Sequence, residues 1–279
     1  MQALTPAEQF VLLDPMGAEA KEAVKTTLLS LVARGALRID TISERGFFGA
    51  KTKSVLSETG NSIDAGPHET ALLRVIRGAD PGGGGATLDK VALAARSAFG
   101  DGLRKFVTDY IHPSLMQRGL IAESTRKVAI FFTRKVKQLT PAGEMEKQRI
   151  LALIERARDL PNLLKTNPAA AAAIVLAAGG VLLLLPELKE FYGQLAAVRP
   201  HSATGDYSHD HGSSTSSGDS GSGADLNLGS FDTTSLAALD SDAFASFDSS
   251  FDSSFSSSGD SGGGSDGGGG GDGGGGGGE

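Results

Sequence analysis

Two stretches pair aromatic with cationic side chains, FFGAKTK at 47–53 and FFTRKVK at 131–137. Neighbouring strand residues point to opposite faces, so one phenylalanine of each pair can enter a core while the other faces outward. An outward ring beside Lys or Arg suits a lipid interface, a partner protein or a nucleic-acid base. The candidate contact residues are therefore Phe47, Phe48, Lys51 and Lys53 in the first stretch, with Phe131, Phe132, Arg134, Lys135 and Lys137 in the second. Arg126 and Lys127 make the second stretch the more basic, and each cation near anionic lipid is worth about 1 kcal/mol. The plainer reading, with the rings capping a small core and the lysines solvating a hairpin, is preferred over lipid contact.

Other candidate chemistry dissolves on inspection. His201, His209 and His211, with Asp206 and Asp210, offer imidazole and carboxylate donors for Zn2+ or Ni2+, but without fixed geometry they read as a solvated linker. Gly259-Asp260-Ser261-Gly262-Gly263 spells a serine-nucleophile signature inside a Ser/Gly/Asp tract that has no strand-turn-helix to hold it. Gly82 to Gly85 precede a helix but lack the Gly-Lys-Ser/Thr of a phosphate loop. His68 and His112 have no visible acid-base partner, and the absence of cysteine excludes thiol catalysis and thiolate metal sites. No catalytic residue and no cofactor follows, and the expectation is a chain that is not an enzyme.

The elements that position these stretches repeat. A shift of 84 residues places Leu31 on Leu115, Arg34 on Arg118, Gly35 on Gly119, Phe47-Phe48 on Phe131-Phe132, Lys51 on Lys135 and Lys53 on Lys137. Each copy reads as a helix ending at a left-handed glycine, followed by a strand, a turn and a second strand, which is the order of a winged helix. Thr5-Pro6-Ala7-Glu8 predicts a capping box opening a short helix through Leu13, and Asp14-Pro15-Met16-Gly17 ends it. A longer helix follows from Ala18 to Arg34, with Lys21, Glu22 and Lys25 facing water, then strands at Leu37–Ile42 and Ser54–Glu58. The second copy predicts helices over His68–Arg77, from a Thr87 cap to Phe99, and over Asp101–Ile111, with Pro113 interrupting the last. Leu139-Thr140-Pro141-Ala142-Gly143 starts a connecting helix whose Ile150, Ile154, Ala157 and Leu160 should pack on the domain.

TPAEQFVLLD, LLSLVARGALRI with its partner LMQRGLIAE, LTPAG and the glycine-saturated terminus resemble the C-terminal cytoplasmic region of bacterial predicted membrane proteins of the domain of unknown function 2207 type, and related Gly-tailed membrane proteins. The resemblance implies winged-helix-like domains beside a membrane and brings no catalytic residues with it. In this chain the apolar span follows the winged helices.

That span is AAAAAIVLAAGGVLLLL, 17 residues from Ala169 to Leu185 without a charge. At 1.5 Å per residue it gives about 25 Å of helix against a hydrocarbon core of about 30 Å. It divides residues 1–199, where 26 Lys and Arg outnumber 20 acidic residues to leave +6, from a remainder with 13 acidic residues and no Lys or Arg. A helix apolar on every side asks for surroundings apolar on every side, which favours a membrane crossing over the alternative of a buried hairpin or core helix suggested by the alanines and the Gly179-Gly180 pair. Arg149, Arg156, Arg158 and Lys165 before it favour a cytoplasmic body. Beyond His201 the Ser/Gly/Asp composition predicts disorder. One island within it, Leu236, Leu239, Phe244, Phe247, Phe251 and Phe255 among aspartates, reads equally as an aromatic-spotted solvated tail or as an acidic amphipathic helix that forms on a basic, apolar groove.

The expected fold is α+β, with two tandem winged-helix-like domains, one transmembrane helix and a disordered acidic Gly/Ser-rich tail. The boundaries are 1–62 and 63–143 for the two domains, 144–166 for a connecting helix, 167–186 for the transmembrane helix, 187–200 for a juxtamembrane segment and 201–279 for the tail. The expected function is a single-span membrane protein, in the cell membrane with its winged helices cytoplasmic and its tail opposite, serving as a protein-interaction or scaffold module for an unidentified protein partner. The alternative is a membrane-tethered transcription regulator. Nucleic acid is the less favoured partner, because +6 is a faint electrostatic footprint for a DNA reader.

Overall fold

The computed structural model describes residues 3–46, 49–129, 132–197 and 241–256, and within them the chain is a mixed, helix-rich α+β protein. The first helix, α1 (Pro6–Leu13), opens with the capping box expected of its sequence: Glu8 N–H donates to Thr5 Oγ1 at 3.3 Å, and Thr5 N–H donates to Glu8 Oε2 at 2.8 Å. It ends where Asp14 Oδ1 accepts from the Gly17 amide at 2.9 Å. The next helix, α2 (Ala20–Ala33), is buried without interruption from Ala23 to Ala33. Helices on one side, a hairpin on another and the apolar run on a third enclose it.

The 84-residue repeat extends to the hydrogen bonds that stop the helices. After α2, Gly35 takes φ +68°, its N–H donates to Val32 O at 2.9 Å, and Ala36 N–H donates to Leu31 O at 2.9 Å. After the corresponding helix, Gly119 takes φ +70°, with Gly119 N–H on Met116 O and Leu120 N–H on Leu115 O, both at 2.9 Å. Both stops need a left-handed residue, which glycine supplies without a Cβ penalty.

Each stop leads into an antiparallel hairpin. The first pairs β1 (Leu37–Gly46) with β2 (Gly49–Glu58) in a register running from Leu37 opposite Glu58 to Gly46 opposite Gly49. Its base is buried through Leu37, Val55 and Leu56, whereas Ile42 is 39% exposed, so the hairpin arm projects beyond the core. After α3 (Pro67–Ala79), the short β3 (Ala86–Thr87) adds to the edge of β2, so the second unit contributes a strand to the first unit's sheet. Then come α4 (Leu88–Phe99), α5 (Arg104–Phe106), a π-helical turn (Val107–Ile111) and α6 (His112–Gln117). The expected break at Pro113 does not occur. The π turn lies just ahead of the proline within one continuous helical run, and its wider winding accommodates a residue without an N–H. The second hairpin, β4 (Ile121–Ala129) with β5 (Phe132–Leu139), carries an irregularity between Lys127 and Ala129.

The largest departure from expectation concerns the apolar run. It is not one helix: α9 (Pro168–Ala178) ends at Gly179, whose φ is +49°, and the chain continues as 3-10 turns at Gly179–Leu184 and Pro186–Phe191 before α10 (Tyr192–Ala197). Among the described residues no helix is long and apolar enough to cross a membrane. The physical reason is the Gly179-Gly180 pair. Gly179 turns the backbone where other residues resist it, and at Gly180 a Cβ would stand 2.5 Å from Pro6 Cγ, so only glycine lets the run lie against α1. Protein supplies the apolar surroundings instead. Ala171, Val175, Ala178, Val181 and Leu182 are buried against α1, α2 and α7 (Pro141–Arg158), and α8 (Leu160–Thr166) lies alongside α9. The connecting segment packs as expected, with Ile150, Ile154, Ala157 and Leu160 all buried.

Candidate functional site: an interaction groove

The last described element, α11 (Ser241–Ser256), lies against α4, both strands of the first hairpin and the 3-10 turn at Pro186–Phe191, and its aspartates reach lysines of α2. At 3.6 residues per turn, Phe244, Phe247, Phe251 and Phe255 fall within an arc of about 80°. Asp248 and Asp252 border that stripe on one side, and Ser246, Ser250 and Ser254 on the other. The structure uses all three zones.

The stripe is enclosed: Phe247 and Phe251 are fully buried, Phe244 is 3% exposed and Phe255 8%. Phe251 stacks on Phe255 at 4.2 Å between centroids and on Phe247 at 5.8 Å, while Tyr192 meets Phe244 edge-on at 5.6 Å. The acidic border meets lysines. Asp248 bridges Lys25 and Lys189, the latter at 3.1 Å, and Asp252 pairs with Lys21 at 3.0 Å. The ammonium groups also sit over the rings, Lys25 at 5.5 Å from the Phe251 centroid and Lys189 at 5.0 Å from that of Phe244. On the hydroxyl border Ser254 Oγ donates to Asp89 Oδ1 at 2.6 Å, Ser54 and Ser246 hydroxyls meet at 3.2 Å, and Arg96 donates to the Ser254 carbonyl at 2.8 Å. That last contact places a cation at the negative end of the helix.

Burial pushes the Asp248 carboxyl up, but hydrogen bonds from Lys25 and Lys189 overcome it and its pKa falls below the ordinary carboxylate value. Burial likewise presses the Lys25 ammonium toward neutrality, and Asp248, Glu22 and Asp252 together raise it above the usual lysine value. Asp248 and Lys25 are therefore held as ions at neutral pH. Lys21 and Lys25, expected to face water, pair with the α11 aspartates instead, and Lys21 stays partly exposed. The Lys25 side chain retains only 10% exposure beneath α11.

The residues singled out from the sequence are not drawn into this groove as a set. Phe47, Phe48 and Phe131 lie outside the described residues, as do His201, His209 and His211. Lys51 stands opposite Glu44 in the first hairpin, and Lys53, two residues on, lines a cavity of about 250 Å³ beside Ser54, Asp89 and the α11 serines. Phe132 and Arg134 belong to β5. Lys135 and Lys137 converge on Glu123 at 2.8 and 2.7 Å, and their hydrogen bonds pull its carboxyl down to about 2. Among the described residues no group of three or more His, Cys, Asp or Glu could hold a metal ion. The sequence signalled the groove's ligand through the phenylalanine periodicity, and nothing local marked Lys21, Lys25, Arg96 and Lys189 as its seat.

A second polar cluster lies inside the body and ties the two units together. Arg34 Nη1 binds both oxygens of the fully buried Glu69 at 2.7 and 2.9 Å, and the Gly66 amide adds a bond at 2.9 Å. Reciprocally Arg118, the repeat partner of Arg34, approaches Glu8 at 3.6 Å, while Ser114 donates to the other Glu8 oxygen at 2.5 Å. Between them His68, fully buried, meets the Thr5 hydroxyl through Nε2 at 3.0 Å and Phe106 edge-on at 6.2 Å.

Burial drives the His68 imidazole below its usual value; Glu8 and Glu69 pull it up, and Arg118 and Arg34 push it further down. A folded-state pKa below that of the unfolded chain means that the unfolded chain takes the proton first as pH falls. The stability due to neutral His68 is thus complete above about pH 6.5 and declines below it, by at most about 1.4 kcal/mol per pH unit for one proton. Urea midpoints at pH 7.5 and 5.5 are expected to separate more for the wild type than for His68→Gln. A residual decline should remain in the variant, because His112 is also lowered, chiefly by burial. Equal separation in both proteins would exclude His68 as its source.

Compared with protein-family models and with curated proteins, the chain finds no match in either.

Proposed function

We propose that the chain is a protein-interaction module of two winged-helix-like units whose groove receives an acidic, aromatic helix, its own α11 being the resident ligand. The observation that carries this reading is the seating of α11: four phenylalanines at 8% exposure or less, flanked by aspartates on lysines. Charge balance supports it, since the body carries +6 and residues 200–279 carry 13 acids and no Lys or Arg. A bilayer between body and tail helix would separate groups that meet here, so both belong on one side in this proposal.

Burial of α2 weighs against the DNA-binding alternative. The helix preceding the first hairpin is the one a winged helix would lay in a major groove, and here it is enclosed from Ala23 to Ala33. Hydrogen exchange on the full chain tests the proposal. Amides of 244–255 are expected to be protected in the wild type and to lose that protection in Phe247→Asp/Phe251→Asp, with the body unchanged. Exchange of the wild-type segment at the rate of an unstructured peptide would remove the reading.

A further inference from the structure

The occupant of the groove is joined to the body through residues 198–240, a segment of 43 residues. We propose that the groove docks acidic, phenylalanine-bearing helices of other proteins, and that α11 is a competitor in cis which such a helix displaces. The inference rests on reading the chain as an interaction module. The ligand's pattern is written in α11 itself: phenylalanine at i, i+3, i+7 and i+11 from Phe244, with carboxylates at i+4 and i+8.

Two observations make α11 a replaceable ligand. Its 16 residues comprise 7 serines, 3 aspartates and 4 phenylalanines, with only 2 alanines to favour helix. Ser, Asp and Phe are mediocre helix formers, so the groove must supply the order that the sequence lacks. A foreign helix carrying the same stripe on an Ala- or Glu-rich backbone starts with less to lose. The contacts also divide in kind. The rings fill an apolar trough whose shape accepts any helix of this spacing, while the Asp248 bridge between Lys25 and Lys189 selects for acid at one position.

The tether sets the threshold. A ligand linked to its own receptor competes at an effective concentration that can reach the order of 1 mM. If the α11 sequence binds an empty groove with a Kd of about 10 μM, its presence in cis weakens any competing helix about 100-fold. Weak ligands are shut out, and only tight or locally concentrated ones enter.

The test uses a fluorescein-labelled peptide of residues 241–256 and two full-length proteins, the wild type and Phe247→Ala/Phe251→Ala, which cannot fill its own groove. Fluorescence anisotropy is expected to show saturable binding to the double variant, at least about 10-fold tighter than to the wild type. Lys25→Glu added to the double variant should abolish it, with urea midpoints confirming that the body is folded. A peptide with Ser249 and Ser253 changed to alanine should bind more tightly and raise hydrogen exchange across 241–256 of the wild-type chain. Equal binding to both proteins would overturn the cis competitor while leaving the groove as a receptor. Binding to neither would overturn the interaction reading itself.

Discussion

Arg34→Ala is expected to lower the stability of the chain by about 3 to 5 kcal/mol, the cost of stranding a buried carboxylate. Glu69 is fully buried, and without the guanidinium its remaining partner is the Gly66 amide. The repeat provides an internal control. Arg118→Ala removes the equivalent arginine, yet Glu8 keeps the Thr5 amide at 2.8 Å, the Thr5 hydroxyl at 3.2 Å and Ser114 at 2.5 Å, so its loss should be the smaller of the two. Removing both charges with Arg34→Met/Glu69→Leu should recover most of the deficit, because the penalty belongs to the unpaired ion and not to the missing attraction. Urea midpoints at constant m-value measure all three. An Arg34→Ala loss below that of Arg118→Ala would mean that Glu69 is sustained in some other way.

The second large effect concerns one glycine. Gly143 occupies the third position of α7, where a Cβ would lie 1.9 Å from the Leu120 carbonyl oxygen. That oxygen cannot retreat freely, since it accepts from the Thr140 amide at 3.0 Å and the Thr140 hydroxyl at 3.2 Å. Gly143→Ala should therefore cost about 3 kcal/mol or more through forced backbone movement. Gly78→Ala, in an exposed part of α3 with nothing within 4 Å of the added methyl, should instead gain up to about 1 kcal/mol from helix propensity. Thermal midpoints shifting in opposite directions would verify the pair, and a Gly143→Ala midpoint equal to that of the wild type would refute the close contact.

Gly143 also explains an asymmetry of the repeat. Three helices begin at a proline following a hairpin or the start of the body, α1, α3 and α7, and their third positions hold Glu8, Glu69 and Gly143. Arg34 finds its glutamate on the helix that follows its own hairpin. For Arg118 that position holds no side chain, and it turns to the first helix of the chain.

Much of this was legible locally. Thr5-Pro6-Ala7-Glu8 carries its capping box, the Arg-Gly pairs stop their helices at positive φ, and Ile150, Ile154, Ala157 and Leu160 pack as their spacing requires. These outcomes depend on residues within one or two turns. What escaped depends on distant partners. Apolarity on all faces of 169–185 states only that water is excluded, and it does not say whether lipid or α1, α2 and α7 exclude it; the glycine pair at 179 and 180 was the available hint that the run bends. The stripe on α11 was visible, but its seat is assembled from Lys21, Lys25, Arg96 and Lys189, which lie far apart in the chain and carry no common pattern. Pro113 does not end the helix because the winding widens to a π turn just ahead of it, with Phe106 before that turn and Ile111 at its end both buried.

The crossed pairing of Arg34 with Glu69 and Arg118 with Glu8 bears on how the body comes apart. Each half serves as counterion to the other, and β3 of the later half completes the earlier half's sheet. Cutting the chain at 59–66 would leave either fragment with an acid it cannot neutralise. Two similar halves have thus surrendered their autonomy, and calorimetry should record their melting as one endotherm.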